Sequence, residues 1–263
     1  MNAPIFKDNQ LPQAGISHVV GSKESELWRR TIPNLLKDTV DRFSNREAVV
    51  FPEQEIRWTW SELDREVDAL AHGLLELGLQ KGDRVGIWSP NRYEWLLTQF
   101  ATARIGIILV TINPAYRVSE VEFALNKVGC TALITASNFK TSDYIGMLQD
   151  LAPELSRCEP GALAATKLPS LKTVIRTGTE TTPGMLNFDA VIESGRSRKS
   201  APLDAISATL EPTDAINIQF TSGTTGTPKG ATLSHINIVN NGRFVVRAQN
   251  MDEADRLCIP LPL

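Results

Sequence analysis

Between residues 84 and 135 the sequence alternates strand-sized apolar runs with longer stretches of helical period. Arg84 to Trp88 reads as a strand, Asn91 to Arg104 as a helix, Ile107 to Thr111 as a buried strand, and Thr131 to Thr135 as a further strand. Before that last strand, Ser119 and Glu122 match a capping box. Val121, Ala124, Leu125 and Val128 then line one helical face that stops at Gly129. Strand, helix, strand, helix predicts an α/β fold: a mostly parallel sheet with flanking helices and right-handed crossovers.

The flanking regions extend this pattern. Residues 1–30 are polar and irregular and are expected to form an N-terminal arm. Pro33 sits where a first helical residue belongs, followed by Leu35, Leu36, Thr39, Val40 and Phe43 at helical spacing. Glu47 to Phe51 and Glu55 to Trp60 read as two strands joined by a polar turn. Ser61 with Asp64 resembles a cap for a helix whose apolar face is Leu63, Val67, Leu70, Ala71, Leu74 and Leu75, ending at Gly78. Residues 136–170 are less regular, and Lys172 to Arg176 reads as a strand. Residues 177–212 mix Thr, Gly, Ser, Pro and charge, which predicts a long surface excursion with one short helix at Phe188 to Glu193.

Composition narrows the classes of function. Twenty-seven Lys and Arg oppose 30 Asp and Glu in 263 residues, a net charge of -3 without a basic patch, which argues against a nucleic-acid partner. No apolar run reaches the ~18 residues of a membrane span. Cys130, Cys158 and Cys258 are odd in number and far apart, and His18, His72 and His235 are scattered, so neither a disulfide framework nor a metal site is expected. The first residues lack the basic start and apolar core of a secretory signal, and a cytoplasmic location is the resulting expectation.

The chemistry concentrates after the apolar strand Ala215 to Phe220. It runs into Thr221, Ser222, Gly223, Thr224, Thr225, Gly226, Thr227, Pro228, Lys229 and Gly230. Glycines bring backbone N–H groups close to a ligand, hydroxyls add donors, and Lys229 adds one compact positive charge. Pro228 limits collapse of the loop. Ser-Gly-Thr-Thr-Gly alone would read as a flexible linker. A linker needs neither a buried strand leading into it nor a single lysine after proline, so an anion site for a polyphosphate is the better reading. It is not a Walker loop, because Gly230 rather than Ser or Thr follows the lysine, and no G-x-G-x-x-G supports a dinucleotide fold.

The run from Phe220 to His235, FTSGTTGTPKGATLSH, resembles the phosphate-binding signature of the adenylate-forming enzymes. Trp58 to Leu63, Gly82 to Val85, and the stretch from Ser89 through Arg117 share the resemblance, which is nearest to the bacterial fatty-acyl-CoA synthetases, similar to the medium-chain enzymes. The resemblance implies the first half of the large N-terminal domain of such a synthetase over residues 31–263. It implies ATP, Mg2+ and coenzyme A as cofactor and co-substrates and a fatty acid as the carboxylic substrate. The acid and ATP would form an acyl-adenylate with loss of pyrophosphate, and the thiol of coenzyme A would then form the thioester. Thr221, Ser222, Thr224 and Thr225 would donate to phosphate oxygens, and Lys229 would be the catalytic cation steadying the pyrophosphate.

Family elements for adenine, ribose and the small mobile domain are not found before Leu263, where Ile259 to Leu263 reads as an apolar last strand. The fragment alone is therefore expected to be catalytically incomplete. Two other readings stay open: a non-catalytic phosphate-binding remnant, and an adenylation module of another branch. Among single residues, His235 is expected at the surface or in a cap, His72 in a structural place, Cys130 and Cys258 as small core residues, and Arg117 in a structural turn.

Overall fold

The computed structural model describes residues 26–198, 201–221 and 228–261. The first elements are helix α1 (Ile32–Phe43), strands β1 (Glu47–Phe51) and β2 (Ile56–Thr59), and helix α2 (Trp60–Glu76). Strand β3 (Arg84–Trp88), helix α3 (Tyr93–Arg104), strand β4 (Ile108–Thr111), helix α4 (Val118–Val128) and strand β5 (Ala132–Thr135) follow. A hairpin of β6 (Asn138–Phe139) and β7 (Ser142–Asp143) leads to helix α5 (Tyr144–Leu151). The remainder is β8 (Thr173–Arg176), β9 (Leu186–Asn187), α6 (Phe188–Arg196), α7 (Ala201–Ser207), β10 (Ala215–Thr221), β11 (Lys229–Ser234) and α8 (His235–Ala248).

Among the described residues seven strands form one sheet in the order β11-β10-β4-β3-β5-β8-β9. Every neighbouring pair is parallel except β10 with β11. The central strands β3, β4, β5 and β8 are buried on both faces, which is why they read as nearly continuous apolar runs. Val85, Ile87, Leu109, Ile134 and Ile175 pack under α2, α3 and α6. Trp88, Val110, Leu133 and Val174 point the other way, into a second core shared with α4 and α5. There the Trp88 and Tyr144 rings stack 3.7 Å apart. Burying each large side chain of this kind is worth roughly 1.5–3 kcal/mol.

The boundaries differ from the sequence expectation where capping signals overlap. The residue capping α2 is Thr59, not Ser61: its hydroxyl accepts from Glu62 N at 3.2 Å, and the Glu62 carboxylate accepts from Thr59 N at 2.8 Å. Those contacts hold the Glu62 carboxyl below its ordinary pKa. Likewise α4 begins at Val118, with Glu120 accepting from Arg117 N at 2.9 Å, in place of the Ser119–Glu122 box. Helix α3 starts at Tyr93 rather than Asn91. Gly129 ends α4 with φ 63°, as its sequence position predicts.

Two larger corrections concern packing. The region 177–212 holds the one short helix expected at Phe188 to Glu193, but this helix, α6, extends to Arg196, is joined by α7, and is no surface element: its Phe188, Val191 and Ile192 are buried against α2. Residues 252–261 form no strand. They cross the surface held by polar contacts: Arg256 pairs with Glu47 at 2.8 Å, and Asn91 Nδ2 donates to the carbonyls of Ile259 and Leu261 at 3.1 and 2.7 Å. Cys258 is exposed there, not in the core, whereas Cys130 is buried and its thiol is pushed up to about 12 by loss of solvent.

Candidate phosphate-binding site

Strand β10 runs parallel to β4, so its end at Thr221 lies at the carboxyl edge of the parallel strands, where open α/β sheets bind ligands. Strand β11 then returns antiparallel, pairing Thr221 with Lys229 and Phe220 with Gly230. The structure thus brings together Thr221, Pro228, Lys229 and Gly230 at one end of a hairpin. Ser222, Gly223, Thr224, Thr225, Gly226 and Thr227 lie outside the described residues.

Thr221 and Lys229 are both exposed, and among the described residues the Lys229 ammonium has no carboxylate partner. The Thr221 hydroxyl donates to the Lys229 carbonyl at 3.5 Å, a contact at the outer limit of a hydrogen bond. An ammonium with no carboxylate partner among the described residues suits an anionic guest. Gly230 has a packing reason of its own: a Cβ there would stand 3.1 Å from Ile218 Cγ2 and 3.5 Å from the Phe220 ring. The hairpin has room for its strand pairing only with glycine, or with a shift of those neighbours.

The base of the hairpin is fixed by buried polar groups. Ser234 caps α8, accepting from Asn237 N at 3.4 Å. The next residue, His235, is fully buried, contrary to a surface position. Its Nδ1 accepts from Ile32 N at 3.2 Å, so the imidazole caps the start of α1 and its proton sits on Nε2. Burial drives its pKa down to about 4 against the nearby Asp214 charge, which pulls it upward. It is a neutral tether and lies at the opposite end of β11 from Lys229. Lys81 pairs with Asp214 at 2.6 Å and keeps that carboxyl low.

The other carboxyl-edge loops are ordered by their own chemistry. In the turn after β4, Asn113 Oδ1 accepts from Ala115 N at 2.9 Å and Tyr144 Oη donates to the Pro114 carbonyl at 2.5 Å. Arg117 donates to Ser142 Oγ at 2.7 Å, a structural turn as its sequence context predicts. A polar cleft of about 450 Å³ opens beyond β5 and β8, lined in part by Lys140, Ser142, Asp143 and Arg176.

Sequence reading misses Gln99 and Asn217, which form a reciprocal amide pair between α3 and β10. A signal for it exists: Asn217 is a polar residue inside the apolar strand Ala-Ile-Asn-Ile.

Residues 36–263 match the family model described as AMP-binding enzyme. The chain belongs to that family. It is 46% identical over 260 residues to the mitochondrial medium-chain acyl-CoA ligase ACSF2 of Rattus norvegicus, covering 97% of this chain and 42% of that protein. It is 38% identical over 238 residues to the putative acyl-CoA synthetase YngI of Bacillus subtilis, covering 90% of this chain and 43% of that protein. Among solved structures, the N-terminal domain of FACL13 from Mycobacterium tuberculosis matches with a TM-score of 0.71 at 24% identity, over 89% of this chain and 52% of that one. That likeness shows the fold alone. The chain spans less than half the length of the curated relatives it matches.

The relatives also correct one expectation. The rat, mouse and human proteins are named as mitochondrial, which overturns the cytoplasmic location read from the first residues. The features of a secretory signal do not separate cytoplasm from mitochondrion. Among the described residues no helix is long and apolar enough to cross a membrane.

Proposed function

We propose that this chain is the N-terminal part of an ATP-dependent fatty-acid–CoA ligase, and that Thr221–Gly230 holds the terminal phosphates of ATP. The observation that carries the reading is the hairpin at the carboxyl edge of the sheet. It sets Thr221 opposite Lys229, an ammonium with no carboxylate partner among the described residues. The medium-chain acyl-CoA ligase named among the relatives supports the acid and thiol assignments. The physical difficulty of the first half-reaction is charge, because a carboxylate must approach a polyanion. Lys229 would offset charge on the departing pyrophosphate, and Thr221, Ser222, Thr224 and Thr225 would donate to its oxygens. Magnesium, when bound with the nucleotide, would supply further neutralisation of the phosphate oxygens. Gly223, Gly226 and Gly230 would allow backbone N–H groups to approach, and Pro228 would limit collapse of the loop.

Magnesium pyrophosphate titrated into the 263-residue chain tests this by calorimetry. Lys229→Ala should weaken binding by about ten- to a hundredfold, the equivalent of one charge-assisted contact of roughly 1.5–3 kcal/mol. Equal binding by both proteins would remove Lys229 from the site.

A further inference from the structure

We infer that the reciprocal amide pair between Gln99 and Asn217 fixes the register of β10, and so delivers Thr221 and Lys229 to the same end of the hairpin; the consequence for ligand binding rests on the phosphate reading above. Gln99 Nε2 donates to Asn217 Oδ1 at 3.1 Å, and Asn217 Nδ2 donates to Gln99 Oε1 at 2.7 Å. Asn217 is 1% exposed, on a strand whose neighbours Ile216 and Ile218 are both buried. An amide in that place costs free energy unless both its ends are satisfied. Two amides paired head to tail satisfy each other in one relative placement of helix and strand. An apolar pair would tolerate sliding.

The register of β10 needs such a constraint. Ala215 faces Ser234 and Asn217 faces Leu233, so Ile216 is an extra residue, a β-bulge. Beyond the bulge the pairing runs without interruption to Thr221 opposite Lys229. The bulge also changes which face each residue meets. Ile216 packs with Ala103, Ile32 and Val239, while Ile218, two positions on, belongs to the core on the opposite face. In a regular strand, residues two apart share a face. Gln99 and Ala103 are one helical turn apart on α3, so the helix meets both the bulged Ile216 and Asn217. If the bulge were lost with Ala215 still opposite Ser234, Phe220 would oppose Lys229. Every side chain between them would then turn to the other face.

A cross-strand disulfide reads the register directly. Gln219 and Ala231 are directly opposed and both exposed. With Cys258→Ser removing the exposed native thiol, Gln219→Cys plus Ala231→Cys should close rapidly under mild oxidation. Adding Asn217→Leu should slow closure by about tenfold or more, the scale of losing a buried hydrogen-bonded pair. The swap Gln99→Asn with Asn217→Gln keeps both amides and should restore much of the rate. Gln99→Ala, at a half-buried site, is the milder variant should Asn217→Leu fail to melt cooperatively. In the same proteins without added cysteines, magnesium pyrophosphate affinity should fall with Asn217→Leu and recover with the swap. Closure rate and affinity both unchanged in Asn217→Leu and Gln99→Ala would overturn the inference. Disulfide rates that behave as expected, in a chain that binds no pyrophosphate, would leave the register device standing and remove the phosphate reading.

Discussion

At the scale of single residues, one half-buried and one buried titratable group oppose each other in their effect on stability. Asp68 on α2 shares the Arg104 guanidinium with Asp64, at 2.9 Å for Asp68, and a direct ion pair also joins Arg104 to Asp64. Loss of solvent raises the Asp68 pKa to about 6 in spite of Arg104, with Asp64 and Asp204 adding to the rise and Lys37 opposing it. A carboxyl raised above its unfolded value of 3.8 favours folding when protonated; that contribution is complete below 3.8 and is lost as pH rises through about 6. His235 runs in the reverse sense. Its pKa falls from 6.5 to about 4, so its contribution is complete above 6.5 and is lost as pH falls through about 4. The two effects overlap between about 4 and 6 with opposite slopes. Asp68→Asn should therefore lose stability relative to the native chain as pH is lowered from 6 to 4, because the compensating carboxyl is gone. His235→Asn, which keeps an acceptor for Ile32 N, should gain relative stability over the same window. Thermal melting of the three proteins at several pH values checks both difference curves, and parallel curves would contradict the two assignments.

At the scale of elements, α2 and α6 cross closely because glycine stands at both contact points. A Cβ on Gly73 would lie 2.1 Å from the Val191 carbonyl oxygen, and one on Gly195 would lie 2.0 Å from the Ala69 carbonyl oxygen. Both obstacles are backbone, so neither can rotate away. Gly73→Ala or Gly195→Ala should cost at the upper end of the roughly 1–3 kcal/mol of overpacking, or more. Gly242→Ala on α8 meets nothing within 4 Å and should gain up to about 1 kcal/mol from helix propensity. Urea denaturation of the three variants separates the contact from the propensity. This crossing also explains where a sequence pattern misleads. Strands β3, β4, β5 and β8 are legible because burial on both faces leaves apolar runs with no competing period. Helix α6 is legible as a short helix at Phe188 to Glu193, but its last turn to Arg196 and its burial are not, because the segment is rich in glycine and charge and Gly195 resembles a breaker when it is a contact surface. The cap of α2 is displaced by two residues because Thr59 with Glu62, and Ser61 with Asp64, offer overlapping signals. Only packing of Trp60 against the core and the extended backbone at Thr59 decide between them.

At the scale of the whole molecule, the strand Ala215 to Phe220 and the run of hydroxyls, glycines and one lysine after it are legible in the amino-acid order, whereas the return strand β11 is not. Nor is the support of the hairpin. The Gln99–Asn217 pair and the His235 contact with Ile32 join residues 118 and 203 positions apart, and a single sequence carries no information at that range. The arrangement places Thr221 and Lys229, one wall of the anion site proposed above, at the edge of a well-packed sheet, while the chain spans 42% of the length of the rat relative. Holding pyrophosphate and making it leave are then separable properties. Adenylation requires a carboxylate and the α-phosphate to be held in line within about 3–3.5 Å, and misplacement there is costly in rate. We expect the 263-residue chain to bind magnesium pyrophosphate through Thr221 and Lys229. Radiolabelled pyrophosphate mixed with ATP and medium-chain fatty acids should nevertheless show no acid-dependent exchange into ATP. Exchange that depends on the added acid, and that Lys229→Ala abolishes, would show that this half of the family's length already carries the adenylation chemistry.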